Sequence, residues 1–410
     1  ARSERFVLIT GLFPSSFRQT SGCQMHRIPV VQRPGLKESA LEHGYEFDAG
    51  SGVPCWDETA YYRFTLSQIE EDLEKPAEEI AAMCIQLLDQ SLLDETVFRR
   101  LQIPEAHWDY IADSWRNREA DLLGRLDFSY DGVGYAKLFE YNADTPTTLY
   151  ESAVFQWVWL QEAMAADLVP QRCDQSAQIH EFLVEALRGM GIEGLLHLSC
   201  LRDIEDDRET VKYLEECAQE AGLETQFLAV EDIGIDAVGR FTDLDDRVTT
   251  TLFKLYPWEW IMDEDFGRYL VSSGVRFLEP PWKAVLSNKG LLPLLWESFE
   301  GHPNLLPAYF EGDAKAEDLA AGYVRKPLLS RQGANIEIVR EGRVLSLSDG
   351  AYGKEGHIVQ ALHQLPNFDG RYPLVGYWMV AGQPAGLSIR ESQSLITDGN
   401  ANFVPHIILD

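Results

Sequence analysis

Four residues within Arg125 to Thr147, RLDFSYDGVGYAKLFEYNADTPT, have types and spacing suited to phosphoryl chemistry. Arg125 and Asp127 stand at i and i+2, and so do Glu140 and Asn142. Residues so spaced share one face of a strand. If the two faces coincide, a guanidinium, two carboxylates and an amide oxygen meet in a small area. Such hard oxygen ligands suit Mg²⁺, which takes one or two carboxylates together with substrate phosphates and water. The arginine suits a phosphate or carboxylate, held through two parallel hydrogen bonds. The same residues also suit an ordinary charged surface hairpin, because Glu-x-Asn is a short pattern. The elements that would position them are legible. Leu126, Phe128 and Tyr130 alternate with polar residues, Asp131-Gly132 supplies a turn, and Tyr135 to Tyr141 is a second β-prone run. Asp144-Thr145-Pro146 then stops the strand and caps a following helix.

Other candidates are scattered along the chain. Lys289 precedes the helical run LLPLLWESF, where a cation opposes the helix dipole, so a phosphate shared between the helix start and the lysine is one reading and a solvated lysine the other. Lys326-Pro327 ends a strand. The small-residue loop Ser330-Arg331-Gln332-Gly333-Ala334-Asn335 follows and could close over phosphates with its backbone N–H groups. It fits neither the P-loop pattern nor G-x-G-x-x-G. Arg390 stands at a strand end, where it could reach a developing oxyanion. Leu201 to Asp207, LRDIEDD, is an acidic cluster at the C-terminal end of a strand, a place where open α/β sheets bind ligands. Helix capping by carboxylates explains the same residues without a ligand.

The chain has 410 residues, 45% hydrophobic and 25% charged, as expected of one large or two ordinary globular domains. A formal net charge of -31 argues against nucleic acid as a partner and is compatible with cationic small molecules such as polyamines. The six cysteines show no C-x-x-C pair and fit a reducing, cytoplasmic setting. The histidines form no zinc-type pair. No apolar run approaches ~20 residues, so no membrane span is expected. Residues 1–24 hold a short apolar run, FVLITGLF, that only faintly resembles an export signal. They are expected to be a disordered extension without function, with the domain proper beginning near Met25.

Periodicity predicts helices over Thr65–Asp89, with a break at Lys75-Pro76, and over Glu105–Leu123, Thr147–Ala166 and Asp174–Met190. The aromatics of Thr147–Ala166 are expected in the core. A β–α–β unit follows: Leu195–Cys200, a helix over Glu205–Ala221, and Thr225–Val230. Asp232–Arg247 reads as a hairpin, Thr249–Trp260 and Val275–Trp282 as strands ended by prolines. Ile336–Val339 and Val344–Leu347 form a hairpin about Glu341-Gly342, and Tyr372–Val380 and Gly386–Ile389 are further strands.

Together the order R-x-D-F, F-E-Y-N-A-D, D-I-E-D, N-K before LLPLLW, R-K-P-L-L-S-R-x-G-x-N, and a final S-I-R-E with S-L-I-T resembles the synthetase domain of glutathionylspermidine synthases. It is similar in particular to the stand-alone members described as acid–amine ligases, which lack the upstream amidase domain. The resemblance spans roughly residues 25 to 410. It implies an α/β, ATP-grasp-like ligase fold, with a β–α–β substrate subdomain over 190–285. The metal strands precede the lysines and the lid, so the fold should be a rearranged version, with Arg125–Thr147 packed against Tyr372–Glu391. It also implies ATP and Mg²⁺ as cofactors and a small-molecule acid and amine as substrates.

Residue by residue, Asp127, Glu140 and Asn142 match the metal ligands, and Arg125 the arginine that neutralises the transferred phosphate. Lys289 and Lys326 match the nucleotide-phosphate lysines, and Gln332 and Gly333 the lid loop. Gln360, Ala361, Leu362 and His363 match the adenine side, and Leu395, Ile396 and Thr397 a further nucleotide contact. Arg390 matches the arginine at the acyl phosphate. Thr145 and Arg331 match residues near the thiol tripeptide. Asp203 and Glu205 match the acids that hold the polyamine, and Asp206 a position close to the tripeptide. Two departures stand out. Thr397-Asp398-Gly399 follow Ile396, where the family carries a lysine, and Thr225–Trp282 aligns loosely. The expected chemistry is phosphorylation of a carboxylate by ATP and attack of an amine on the acyl phosphate. A nucleotide-binding regulatory protein on a degenerate ligase fold is the alternative. A ligase acting on peptide or protein carboxylates is a third reading.

Overall fold

The computed structural model describes residues 25–44, 56–91 and 94–410, so the expectation for residues 1–24 lies outside the described residues. The fold is mixed α/β with several sheets. One antiparallel sheet is built around the predicted hairpin. Its order is Asn402–Phe403, Gln383–Ser392, Tyr372–Val380, Leu123–Ser129 and Lys137–Asn142. Tyr372–Val380 is an almost unbroken apolar run, as a strand covered on both faces should be. Its pairing with Leu123–Ser129 is the expected long-range contact between the hairpin and the C-terminal strands. Every residue of Leu123–Ser129 is buried. Leu126 and Phe128 enter the main apolar core, and Arg125 and Asp127 occupy the alternate face.

A second antiparallel sheet runs Ala308–Phe310, His357–Ala361, Gly322–Pro327, Glu337–Arg340 and Arg343–Leu347. Its outer hairpin turns at Glu341-Gly342, both at positive φ (49° and 72°), which matches the right-handed twist of the flanking strands. A third sheet is wholly parallel, in the order Arg276–Leu278, Thr251–Leu255, Leu195–Cys200 and Glu224–Phe227. Helix Glu205–Glu220 is the crossover between its last two strands. A small sheet of His26–Pro29, Ala60–Phe64 and His406–Ile408 joins the two ends of the described chain. Among the described residues no helix is long and apolar enough to cross a membrane.

Several elements differ from the periodicity reading. The helix predicted over Thr65–Asp89 is a wide π-type segment, Gln68–Glu74, running into the α-helix Lys75–Ser91, with Pro76 in its first turn. The helix predicted over Glu105–Leu123 stops at Arg116. Arg118 takes φ 53°, and the extended chain beyond it gives its Leu122 and Leu123 N–H groups to the buried Glu279 carboxylate, at 3.0 and 2.8 Å. Helix Asp174–Met190 shortens to Ile179–Gly189. The strand expected to end at Pro257 ends at Leu255, and Pro257 starts the helix Trp258–Asp263. Trp157 is 45% exposed, because it lies two residues and so about half a turn from the buried Trp159.

Candidate active site

Pairing of the two hairpin strands sets Arg125 opposite Asn142 and Asp127 opposite Glu140. All four side chains therefore share one face. Arg125 donates from Nε to Asp127 Oδ1 at 2.6 Å and from Nη2 to Oδ2 at 3.0 Å. Asn142 Nδ2 donates to Asp127 Oδ2 at 2.9 Å and to Glu140 Oε1 at 3.2 Å. Both lysines join this group from the neighbouring elements. Lys289 Nζ lies 3.0 Å from Glu140 Oε2 and 2.6 Å from the Ser330 carbonyl. Lys326 Nζ donates to Gln360 Oε1 at 2.8 Å and to the Phe139 carbonyl at 2.9 Å. Lys289 is thus paired with a carboxylate, and the Gly290 N–H at the helix start is taken by Asn288 Oδ1 at 2.8 Å.

The electrostatics follow from this crowding. Burial pushes the Glu140 carboxyl up, but Lys289 and Lys326 outweigh it and hold the carboxyl at about 2. Burial lowers Lys326 to about 8, with Glu140 opposing the shift and Lys289 reinforcing it. Arg390 is also lowered, first by burial and then by the nearby Arg125. Its Nη2 donates to the Asp398 carbonyl at 2.6 Å.

A cleft lies between the two antiparallel sheets, and Arg125, Asn142 and Arg390 stand outside its lining. Asp127, Glu140, Lys289 and Lys326 form its polar end. Gln360, Ala361, Leu362, His363, Leu395, Ile396, Thr397 and Gly333 line it as well, so most of the residues matched to the nucleotide lie on one cavity. Val324, Ile336, Ile338 and Leu374 add apolar walls, which suit a flat ring. The buried Thr397 Oγ1 has no partner among the described residues, as expected of a group that meets a ligand. Gly333 packs on Thr397: a Cβ there would lie 2.6 Å from the Thr397 carbonyl oxygen. Gln332 departs from expectation. At φ 49° it lines, with Arg331, Ser348 and Asp398, an adjoining hollow that shares Gly333 and Ile396 with the cleft.

The donor set fits Mg²⁺. Among the described residues no three or more His, Cys, Asp or Glu side chains gather as a metal site. Asp127, Glu140 and Asn142 reach three ligands only through the amide, and two carboxylates suffice for Mg²⁺ held jointly with phosphates.

The acid and amine side is less concentrated. Thr145 accepts a hydrogen bond from Arg331 Nη1, and Arg331 also meets Glu259. Asp203 and Glu205 are exposed at the start of helix Glu205–Glu220. The acids whose fields reach the arginines are others. Asp207 is raised to about 6 by burial and by Asp206, with Arg331 opposing. Glu151 is raised to about 7 by burial, Glu209 and Asp206, with Arg390 opposing. Sequence reasoning missed both. Asp207 stood in the acidic cluster already singled out, and Glu151 lies in the first turn of the helical segment that begins at Leu149. Gly376 was also missed. It pairs with Asp127, and a Cβ there would lie 2.8 Å from Arg125 Cδ, so it makes room for that side chain.

The architecture is shared with a solved structure of a glutathione synthetase-like effector from Globodera pallida in its apo form. The TM-score is 0.51 at 11% identity, covering 94% of this chain and 100% of that one. The sequence places the chain more narrowly. Residues 27–409 match the family described as "Glutathionylspermidine synthase preATP-grasp". The chain is 36% identical over 388 residues to a Haemophilus influenzae protein named "Putative acid--amine ligase", covering 91% of this chain and 97% of that protein. It is 27% identical over 399 residues to the bifunctional glutathionylspermidine synthetase/amidase of Escherichia coli, of whose length it spans 63%. The chain belongs to the glutathionylspermidine synthase family, a family of ligases.

Proposed function

We propose that the protein is an ATP- and Mg²⁺-dependent carbon–nitrogen ligase that joins the carboxylate of a glutathione-like or peptide acid to a polyamine-like amine. The observation that carries this reading is the convergence of Asp127, Glu140, Lys289 and Lys326 at one end of one cleft, with Arg125 and Asn142 hydrogen-bonded to its carboxylates. In this reading residues 25–410 form one synthetase unit on a rearranged ATP-grasp fold, with the parallel sheet as its substrate-binding part.

A carboxylate and an amine do not condense in water without activation. The γ-phosphoryl of ATP passes to a carboxylate oxygen and ADP leaves. The amine nitrogen then attacks the acyl carbon, and the phosphate departs with the former carboxylate oxygen, leaving an amide and a released proton. Mg²⁺ on Asp127, Glu140 and Asn142 would supply charge neutralisation at the phosphate oxygens. Lys289 and Lys326 orient the triphosphate, and Arg125 and Arg390 stabilise the charge that grows in transfer. Glu151, Asp206 and Asp207 present negative charge to a cationic amine. The high net negative charge of the whole chain draws the same ligand class.

The test is ADP release on pairing glutathione and short peptides with polyamines and amino acids in the presence of Mg²⁺. Release that requires both an acid and an amine supports the reading. ATP binding with no release for any pair would contradict it.

A further inference from the structure

The loop between strands Gly322–Pro327 and Glu337–Arg340 is fastened at its two ends by different parts of the protein. Its second half belongs to its own sheet. Ser348 Oγ accepts the Ile336 N–H at 2.9 Å and donates to the Gly333 carbonyl, and Asn335 Oδ1 accepts the Tyr352 N–H at 2.8 Å. Its first half keeps bonds to the lead-in of its own sheet, from Leu328 N–H to the Gly356 carbonyl at 3.1 Å and from Leu329 N–H to Glu355 Oε1 at 3.4 Å, and is otherwise held from outside that sheet. The Ser330 carbonyl accepts Lys289 Nζ at 2.6 Å. Arg331 reaches further, with Nε and Nη2 both on Glu259 Oε1, at 3.2 and 2.9 Å, and Nη1 on Thr145 Oγ1.

One guanidinium therefore joins three elements. Glu259 lies in helix Trp258–Asp263, which follows directly on the parallel-sheet strand Thr251–Leu255. Thr145 follows the strand that carries Glu140 and Asn142. The parallel sheet is tied to the same bend a second time. Buried Lys254 donates to Asp144 Oδ1 at 2.6 Å, and Asp144 Oδ2 accepts the Trp258 N–H at 2.9 Å. The Arg331 and Glu259 side chains are only 29% and 16% exposed, so water screens the pair weakly. Burial works against the Arg331 charge, but Glu259 and Asp144 outweigh it and leave the guanidinium more firmly protonated than usual.

We propose that Glu259 is a positioning residue that holds Arg331, and with it the first half of the loop, in place before any substrate binds. A guanidinium carries five N–H donors. Glu259 takes two and Thr145 one, so two remain for a substrate carboxylate. A fork already fixed in direction binds that carboxylate without first having to be ordered. Glu259 thereby sets the affinity for the acid substrate without touching it. This last link rests on the reading of Arg331 as the acid-binding arginine.

The test uses the full chain and two variants, Glu259→Gln, which keeps the shape and removes the charge, and Glu259→Ala. Without ligands, amide hydrogen exchange across residues 328–332 is expected to be roughly fivefold faster or more in both, with exchange across 336–340 unchanged. With glutathione as the acid, spermidine as the amine and ATP, KM for glutathione is expected to rise roughly tenfold while kcat and the KM for ATP stay within about twofold. Unchanged exchange across 328–332 overturns the positioning role. So does faster exchange everywhere, which would mark Glu259 as a general stability residue. A loosened loop with an unchanged glutathione KM overturns the link to acid affinity. If the wild-type chain releases no ADP from glutathione and spermidine, the substrate reading fails, and the exchange measurement still decides the role of Glu259.

Discussion

Arg125 and Asp127 hold one another through two parallel hydrogen bonds, of 2.6 and 3.0 Å, on one face of a fully buried strand. The proposed phosphate ligand and the proposed metal ligand thus neutralise each other in the substrate-free chain. A metal–nucleotide complex can replace both partners at once, cation for arginine and phosphate for carboxylate. Removing one partner alone leaves a buried charge uncompensated, at a cost of roughly 3–5 kcal/mol. Asp127→Asn should therefore lower the melting temperature and reduce ADP formation by roughly 10²–10³-fold or more. The apolar double variant Arg125→Met/Asp127→Leu should recover stability but no activity. Calorimetric unfolding and ADP release measure the two effects separately. A wild-type rate in Asp127→Asn would remove Asp127 from the metal site.

Glu151 sets an expected pH dependence. Burial, Glu209 and Asp206 raise its carboxyl to about 7, against the pull of Arg390. It is neutral below that value and anionic above it, while an aliphatic amine, with a pKa of about 10, stays cationic throughout. The KM for spermidine should fall as pH rises from 6 to 8. Glu151→Gln should raise the KM at pH 8 and flatten the profile. A variant with the wild-type slope would show that Glu151 does not face the amine.

Much of this site was legible because strand periodicity is strict. Once Leu126 and Phe128 were assigned to the core, Arg125 and Asp127 had to share the other face. The run PLVGYWMV likewise read as a strand, and its burial on both sides came only with the structure. What sequence did not reveal depends on neighbours distant in the chain. Glu105–Leu123 carries a helical pattern throughout, yet its last residues are drawn into extended form by the buried Glu279 carboxylate. The pairing of Lys289 with Glu140 was not legible, because the two lie far apart in sequence. Glu151 and Asp207 are ordinary helix-start acids by pattern. Only burial and the approach of Arg390 and Arg331 set them apart.

Lys326 gives a linkage prediction. Burial lowers it to about 8, whereas a bound triphosphate favours its charged form. Nucleotide binding above pH 8 must therefore take up a proton, and the affinity should weaken as pH rises from 8 to 9. Calorimetric titration of ATP in buffers of different ionisation enthalpy should show that uptake at pH 9 and far less at pH 7. Lys326→Met should bind ATP more weakly at pH 7 and lose the uptake. Uptake that persists in the variant would assign the proton to another group.

Gly376 tests how closely Arg125 is confined. It lies between Asp127 on one neighbouring strand and Ser388 on the other. A Cβ at this position would sit 2.6 Å from Ser388 Oγ and 2.8 Å from Arg125 Cδ. The serine hydroxyl can rotate away, but the arginine stem is walled in by the buried strand and must shift as a whole. A displaced guanidinium loses the paired geometry with Asp127 and its alignment with the phosphoryl group. Gly376→Ala should therefore lower kcat on the order of 10²-fold, the scale of an ångström-level misplacement. Stability should fall as well, by roughly 1–3 kcal/mol for the forced shift in a packed interior, of which alanine's smaller loss of backbone freedom offsets roughly 0.5–1 kcal/mol. Adding Ser388→Gly should leave the defect in place, since the contact that matters is with Arg125. Full activity in Gly376→Ala, or rescue by Ser388→Gly, would show that the position of Arg125 is not what limits phosphoryl transfer.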